Sequence, residues 1–110
     1  MSTEPNASHQ IDERDANQNL LREHRDEILS SAHRHGARNV RVFGSVARGD
    51  STASSDIDLL VDASDRTSPW FPAGLVEELE RLLDRRVDVV TEQSLHWLLR
   101  RRILKEAKPL

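Results

Sequence analysis

Two aspartates flanking one apolar residue, Asp56, Ile57 and Asp58, follow a Gly44-Ser45 pair that closes an apolar run. That combination suits a magnesium-bound nucleoside triphosphate. Side chains at i and i+2 of a strand share a face, so Asp56 and Asp58 can present two carboxylates to one place. Magnesium favours such hard oxygen ligands, keeps several waters and completes its shell with substrate phosphates. Ile57, Leu59, Leu60 and Val61 form the nearly continuous apolar run of a buried strand, which sets the acids at the mouth of a core strand. Taken singly, Asp56 also reads as a cap and Asp58 as a surface charge; the joint pattern with the Gly-Ser turn is what selects the chemistry.

Val40, Val42 and Phe43 lead into that turn, and Val46, Ala47 and Arg48 continue it as a short helix. Glycine allows close backbone approach to a ligand, and the amides at a helix start, with the Ser45 hydroxyl, are donors for a phosphate. A third carboxylate stands in the run Arg86, Val87, Asp88, Val89, Val90, Thr91. Alternation puts Asp88 on the face opposite Val87 and Val89. Beside the Asp56 to Asp58 strand, Asp88 can help bind a metal and take the proton of an attacking hydroxyl. The competing reading is an edge-strand charge facing water.

The segments Gly44-Ser45-Val46-Ala47-Arg48-Gly49-Asp50 and Ser55-Asp56-Ile57-Asp58-Leu59-Leu60-Val61 resemble the signature of the minimal nucleotidyltransferases, within the polymerase-beta-like superfamily. The resemblance spans about residues 20–108. It implies that Ser45 touches the triphosphate, that Asp56 and Asp58 hold Mg2+, and that Asp88 completes the triad. Gly44, Ser45 and Arg48 then form the nucleotide-binding element, Arg48 either pairing with an acid or approaching the phosphates. ATP is the implied donor of AMP. Proteins of this kind are commonly antitoxins of HEPN-type ribonuclease toxins, and some add AMP to a tyrosine of the toxin. Two rivals stand beside that role: a binding antitoxin that only covers its toxin, and a transferase for a small molecule such as an aminoglycoside.

The chain has 110 residues, 36% hydrophobic and 32% charged, enough for one modest core and no second one. A net charge of -3 argues against a sequence-independent nucleic-acid binder. The absence of cysteine removes disulfides and thiolate metal sites and suits a cytoplasmic protein. No run of about twenty apolar residues or signal-peptide core is present, so neither membrane spanning nor export is expected.

The elements that must position the acids follow from periodicity. Residues 1–16 are polar, without apolar periodicity, and read as a disordered tail ahead of a domain over 17–110. Leu20, Leu21, Ile28, Leu29 and Ala32 predict one amphipathic helix, stopped by Gly36. Strands are predicted at 38–43, 57–62 and 86–91, with a short helix at 45–49 and a flexible loop from Ser51 to Ser55. A turn-rich connection from Asp62 to Pro72 precedes a helix carrying Leu75, Val76, Leu79, Leu82 and Leu83. Ser94 is the expected cap of a last helix burying Leu95, Leu98, Leu99 and Ile103, with Pro109 beyond its end. This order gives an α/β (α+β) sandwich, a small mixed β-sheet packed with helices.

Other features have ordinary readings. His33 and His35 fall on different helix faces and read as solvated polar residues, while His24 and His96 stand alone. Arg100, Arg101, Arg102, Lys105 and Lys108 complement a helix C-terminus or contact a partner or polynucleotide. Trp70 and Phe71 pack on the sheet or anchor another protein, and Trp97 belongs to the core or a half-buried helix surface.

Overall fold

In the computed structural model, residues 13–110 are described. Helices α1 (Glu13–Glu23) and α2 (Arg25–Arg34) lead into β1 (Ala37–Phe43), the short α3 (Gly44–Arg48) and β2 (Ile57–Ala63). After a connection come α4 (Ala73–Leu83), β3 (Val87–Thr91), a 3-10 turn (Glu92–Ser94), α5 (Trp97–Glu106) and β4 (Lys108–Pro109). Of the tail expected over residues 1–16, residues 1–12 lie outside the described residues, and α1 begins at Glu13, ahead of the expected start at 17.

The single long helix expected before Gly36 is two helices. His24 leaves helical geometry at φ -105° and ψ 16°, although its amide still donates to the Leu20 carbonyl at 3.1 Å. Apolar periodicity continues across that residue because Leu21 and Ile28 both enter the core, which is why the pattern alone shows no break. Gly36 ends α2 at φ +81°, the left-handed conformation that glycine adopts without a side-chain penalty.

The four-stranded sheet runs β3-β2-β1-β4. β1 is antiparallel to both β2 and β4, whereas β2 and β3 are parallel, as the α4 crossover between them requires. A break in register between Arg38 and Arg41 brackets Asn39, held at φ 53°. On one sheet face Ile57, Leu59, Val61, Val87 and Val89 meet Leu21, Ile28 and Ala32 of α1 and α2 and Leu75, Leu79 and Leu83 of α4. The spacing of those leucines places one α4 stripe on the sheet. Truncating fully buried Leu79 to alanine would cost about 2–5 kcal/mol. Alternation then sends Asp58, Leu60 and Asp88 to the other face.

The C-terminal segment departs most from expectation. Ser94 caps no α-helix; it and Thr91 exchange hydrogen bonds that close the 3-10 turn. The His96 ring caps α5 instead, Nδ1 accepting from the Leu98 amide at 3.1 Å. No α5 residue is fully buried, and Trp97, Leu98 and Leu99 are 75%, 63% and 50% exposed. Helical spacing identifies an apolar stripe without saying what it faces, and the core cluster is filled by residues of α1, α2, α3 and α4 and the sheet, with none from α5. β4 was not anticipated at all: Pro109 pairs with Arg41 and Lys108 with Val42.

Candidate active site

Backbone pairing assembles the site across three strands. Phe43, the last residue of β1, stands opposite Asp58 of β2, and Asp58 stands beside Asp88 of parallel β3. The chain leaves β1 through Gly44 at φ +75°, and a Cβ at that position would lie 2.3 Å from Asp58 Oδ2. Only glycine satisfies both the left-handed backbone and the close approach of the carboxylate. The turn, Asp58 and Asp88 are thereby fixed side by side, with Ser45 in the first turn of α3.

Asp56 arrives differently. β2 begins at Ile57, so Asp56 precedes the strand instead of forming part of it. Its side chain is half-exposed, and Oδ1 lies 3.7 Å from Arg86 Nε in a surface pair of little energetic weight. Buried Asn17 of α1 orders the preceding loop. Its amide nitrogen donates to Ser51 Oγ at 3.0 Å and to the Thr52 carbonyl at 2.8 Å, and its Oδ1 accepts from Arg85 Nε at 3.2 Å. Ser51 is fully buried, and Ser55 Oγ accepts from the Thr52 amide at 2.8 Å. The loop expected to be flexible from its composition is a hydrogen-bonded turn that delivers Asp56.

Burial, followed by the charges of Asp88 and Asp56, pushes the Asp58 carboxyl up to about 6, with Arg48 opposing the shift. Among the described residues no three His, Asp or Glu side chains form a ready-made metal cage. Magnesium needs none, because one or two carboxylates with phosphate oxygens and water complete its shell. The donor set fits the ion: half-buried carboxylate oxygen carrying uncompensated negative charge is an environment that a divalent cation relieves.

Of the two roles open to Arg48, the structure displays the pairing with acids. Nη1 donates to Glu106 Oε2 at 2.9 Å and Nε to Asp50 Oδ2 at 3.4 Å, and the Glu106 bond is the main cause of a raised Arg48 pKa. Glu106 also accepts from the Gly44 amide, through Oε1 at 2.7 Å. Burial acts to raise the Glu106 carboxyl, but the bonds from Arg48 and Gly44 hold it below the usual carboxylate range. The sequence reading missed Glu106. Its signal was the single acid in an otherwise basic C-terminal segment, paired with an arginine that needed a counterion.

His33 stays exposed, in line with a solvated residue, but His35 is half-buried, with Nε2 3.0 Å from Glu78 Oε1. Trp70 is 78% exposed and does not pack on the sheet, whereas Phe71 packs against the core cluster. No helix among the described residues is long and apolar enough to cross a membrane.

Residues 21–110 match the nucleotidyltransferase domain family. Protein adenylyltransferase MntA of Thermococcus cleftensis is 37% identical over 89 residues, covering 81% of this chain and 87% of that protein. A Methanocaldococcus jannaschii relative assigned as a protein adenylyltransferase, MJ0435, is 39% identical over 87 residues, covering 79% of this chain and 94% of its own. A solved structure assigned as a minimal nucleotidyltransferase superposes with a TM-score of 0.75 at 48% identity, covering 84% of this chain and 94% of that chain. A toxin-antitoxin crystal structure with AMP-PNP has a TM-score of 0.66 at 26% identity, covering 76% of this chain and 69% of that chain.

Proposed function

From the chain's membership of the nucleotidyltransferase domain family, we propose that it transfers AMP from magnesium-bound ATP to a hydroxyl of a protein acceptor, most simply a tyrosine of a cognate HEPN-type toxin, and so acts as an antitoxin. The observation that carries the reading is the register of Asp58 beside Asp88, with Gly44 against Asp58.

Asp56 and Asp58 would hold Mg2+, with Asp88 beside Asp58 adding to the negative environment, and the ion would supply charge neutralisation for the triphosphate and its leaving group. Ser45 and the turn amides would grip the outer phosphates. Asp88 would accept the acceptor's hydroxyl proton on a carboxylate oxygen. The acceptor oxygen then forms a bond to the α-phosphorus, the bond from that phosphorus to the bridging oxygen breaks, and pyrophosphate carries the electron pair away. The described residues form one core, and none of them builds a second domain to enclose an acceptor. Exposed Trp97, Leu98 and Leu99 on α5, the helix that also carries Glu106, favour a protein surface over a small molecule. The relatives named as protein adenylyltransferases point the same way.

Intact-mass spectrometry tests the proposal, with the protein co-expressed with its neighbouring gene product and given magnesium and ATP. The expected result is a gain of one or more AMP units on the partner, lost in the Asp56→Asn, Asp58→Asn double variant. A stable complex with no mass gain, whose toxin stays neutralised by the double variant, would replace transfer with neutralisation by binding alone.

A further inference from the structure

Glu106 lies far from the acids in sequence, yet its carboxylate reaches both ends of α3. Oε1 accepts from the amide of Gly44, the first residue, and Oε2 from Nη1 of Arg48, the last. Ser45 lies between those two anchors. The β1-β4 register explains how the contact arises. Arg41 faces Pro109 and Val42 faces Lys108, so continuing the antiparallel count sets Gly44 opposite Glu106. Backbone pairing stops at β4, and the Glu106 side chain supplies the next hydrogen bond of that ladder. It bonds the Gly44 amide from the β4 side, while Asp58 approaches the same glycine from the β2 side.

We infer that Glu106 is a positioning residue for nucleotide binding: by clamping Gly44 and Arg48 it fixes α3, and so sets the Ser45 hydroxyl where the triphosphate is held. The inference rests on the reading that this turn binds a nucleoside triphosphate. A helix of five residues has little stability of its own, since nucleating a single turn is unfavourable, so external anchors decide its placement. Other restraints act on the middle of α3 and its C-cap: Val46 and Ala47 are buried, Gln18 Nε2 donates to the Val46 carbonyl at 2.9 Å, and the Gly49 amide donates to the Ser45 carbonyl at 3.0 Å, whereas Glu106 alone bonds the Gly44 amide ahead of Ser45 among the described contacts. The Glu106 side chain is 17% exposed and its two bonds involve a half-buried backbone amide and a guanidinium, the charge-assisted kind that holds geometry well. The C-terminal segment thus reaches both ends of α3 through the Glu106 carboxylate, and its middle through Lys108 Nζ, which donates to the Ala47 carbonyl at 3.2 Å.

The experiment is calorimetric titration with magnesium and AMP-PNP, and with adenosine as a control that lacks phosphates, on Ser45→Ala, Glu106→Ala and the combined variant. Glu106→Ala should weaken AMP-PNP binding about tenfold, a change that needs only a modest misplacement of the phosphate donors. Adenosine binding should not change. The combined variant should bind no more weakly than the weaker of its two parents, because Glu106 acts through Ser45. Glu106→Gln retains a carbonyl acceptor for the Gly44 amide and should recover most of the affinity, with the Gly44 amide resonance returning toward its wild-type position. It also serves if Glu106→Ala does not fold. Losses that add in the combined variant, or a Glu106→Ala protein that melts earlier yet binds AMP-PNP as the wild type does, would overturn the inference while leaving the nucleotide site standing. Unchanged binding by Ser45→Ala would remove the nucleotide reading of the turn itself.

Discussion

Replacing Asp58 by asparagine should stabilise the metal-free protein. In the folded chain the carboxyl is raised from 3.8 to about 6, first by burial and then by the charges of Asp88 and Asp56. An acid whose folded pKa is raised binds its proton more tightly in the folded state, so stability falls as pH rises between those two values and the full penalty remains above about 6. A shift of about two units corresponds to at most ~3 kcal/mol. With the side chain half in water, screening reduces this to about 1 kcal/mol. For a domain of this size that gain raises Tm by about 5 °C. The assay is thermal unfolding by circular dichroism with EDTA present, for wild type and Asp58→Asn, at about pH 8 and about pH 3, on either side of the titration. The variant should melt higher at the alkaline pH, and the difference should vanish at the acid one, where both states of the wild-type carboxyl are protonated. Magnesium should raise the Tm of the wild type and not of the variant. Equal or lower Tm for the variant at the alkaline pH, or a gain that persists at the acid pH, would refute the argument that burial and like charge strain this carboxylate.

Gly44→Ala should destabilise the fold by about 1–3 kcal/mol, since its φ of +75° is unfavourable for alanine and its Cβ would meet Asp58 Oδ2 at 2.3 Å; urea unfolding checks this, and an unchanged midpoint counts against the close approach. Glu78 is held down at about 2, chiefly by its hydrogen bond with His35 and also by Arg34, so it contributes stability above 4.5 that is lost as pH falls toward 2. Glu78→Gln should flatten that part of an acid unfolding curve, by under about 1 kcal/mol for so exposed a pair, and a curve that stays parallel to wild type would show that the cluster contributes no linkage.

The parts of the fold that were legible are those where one pattern has one physical meaning. The apolar run around Asp58 is a buried strand, and the leucines of α4 are a buried stripe, because each pattern ends in the core it was read for. Alternation also placed Asp88 correctly on the face opposite Val87 and Val89. The α5 leucines look the same in sequence but end exposed, since periodicity reports a stripe and not its partner. Asn17 and Ser51 escaped notice for a different reason: two polar residues far apart in the chain form a buried hydrogen bond, and nothing local in either stretch announces it. Glu106 is the same problem at the site itself, a contact created by the register of a strand only two residues long.

The strand order removes an opposition in the two readings of Asp88. β3 is an edge strand, so Asp88 is an edge charge and also the neighbour of Asp58. An exposed edge invites pairing with another chain, and a charge on it discourages that pairing. The same exposure leaves the carboxylate open to an acceptor hydroxyl, which a central strand would screen. At the other edge, β4 covers β1 with Lys108 and Pro109, a cation and a residue without an amide hydrogen, both poor templates for a further strand. One edge is therefore closed and supplies Glu106 to the turn, while the other remains open beside the acids. Around a single core, that asymmetry orders the two sides of the site: the turn with Ser45 is built from the closed side, and in the proposed transfer the acceptor would enter by the open one.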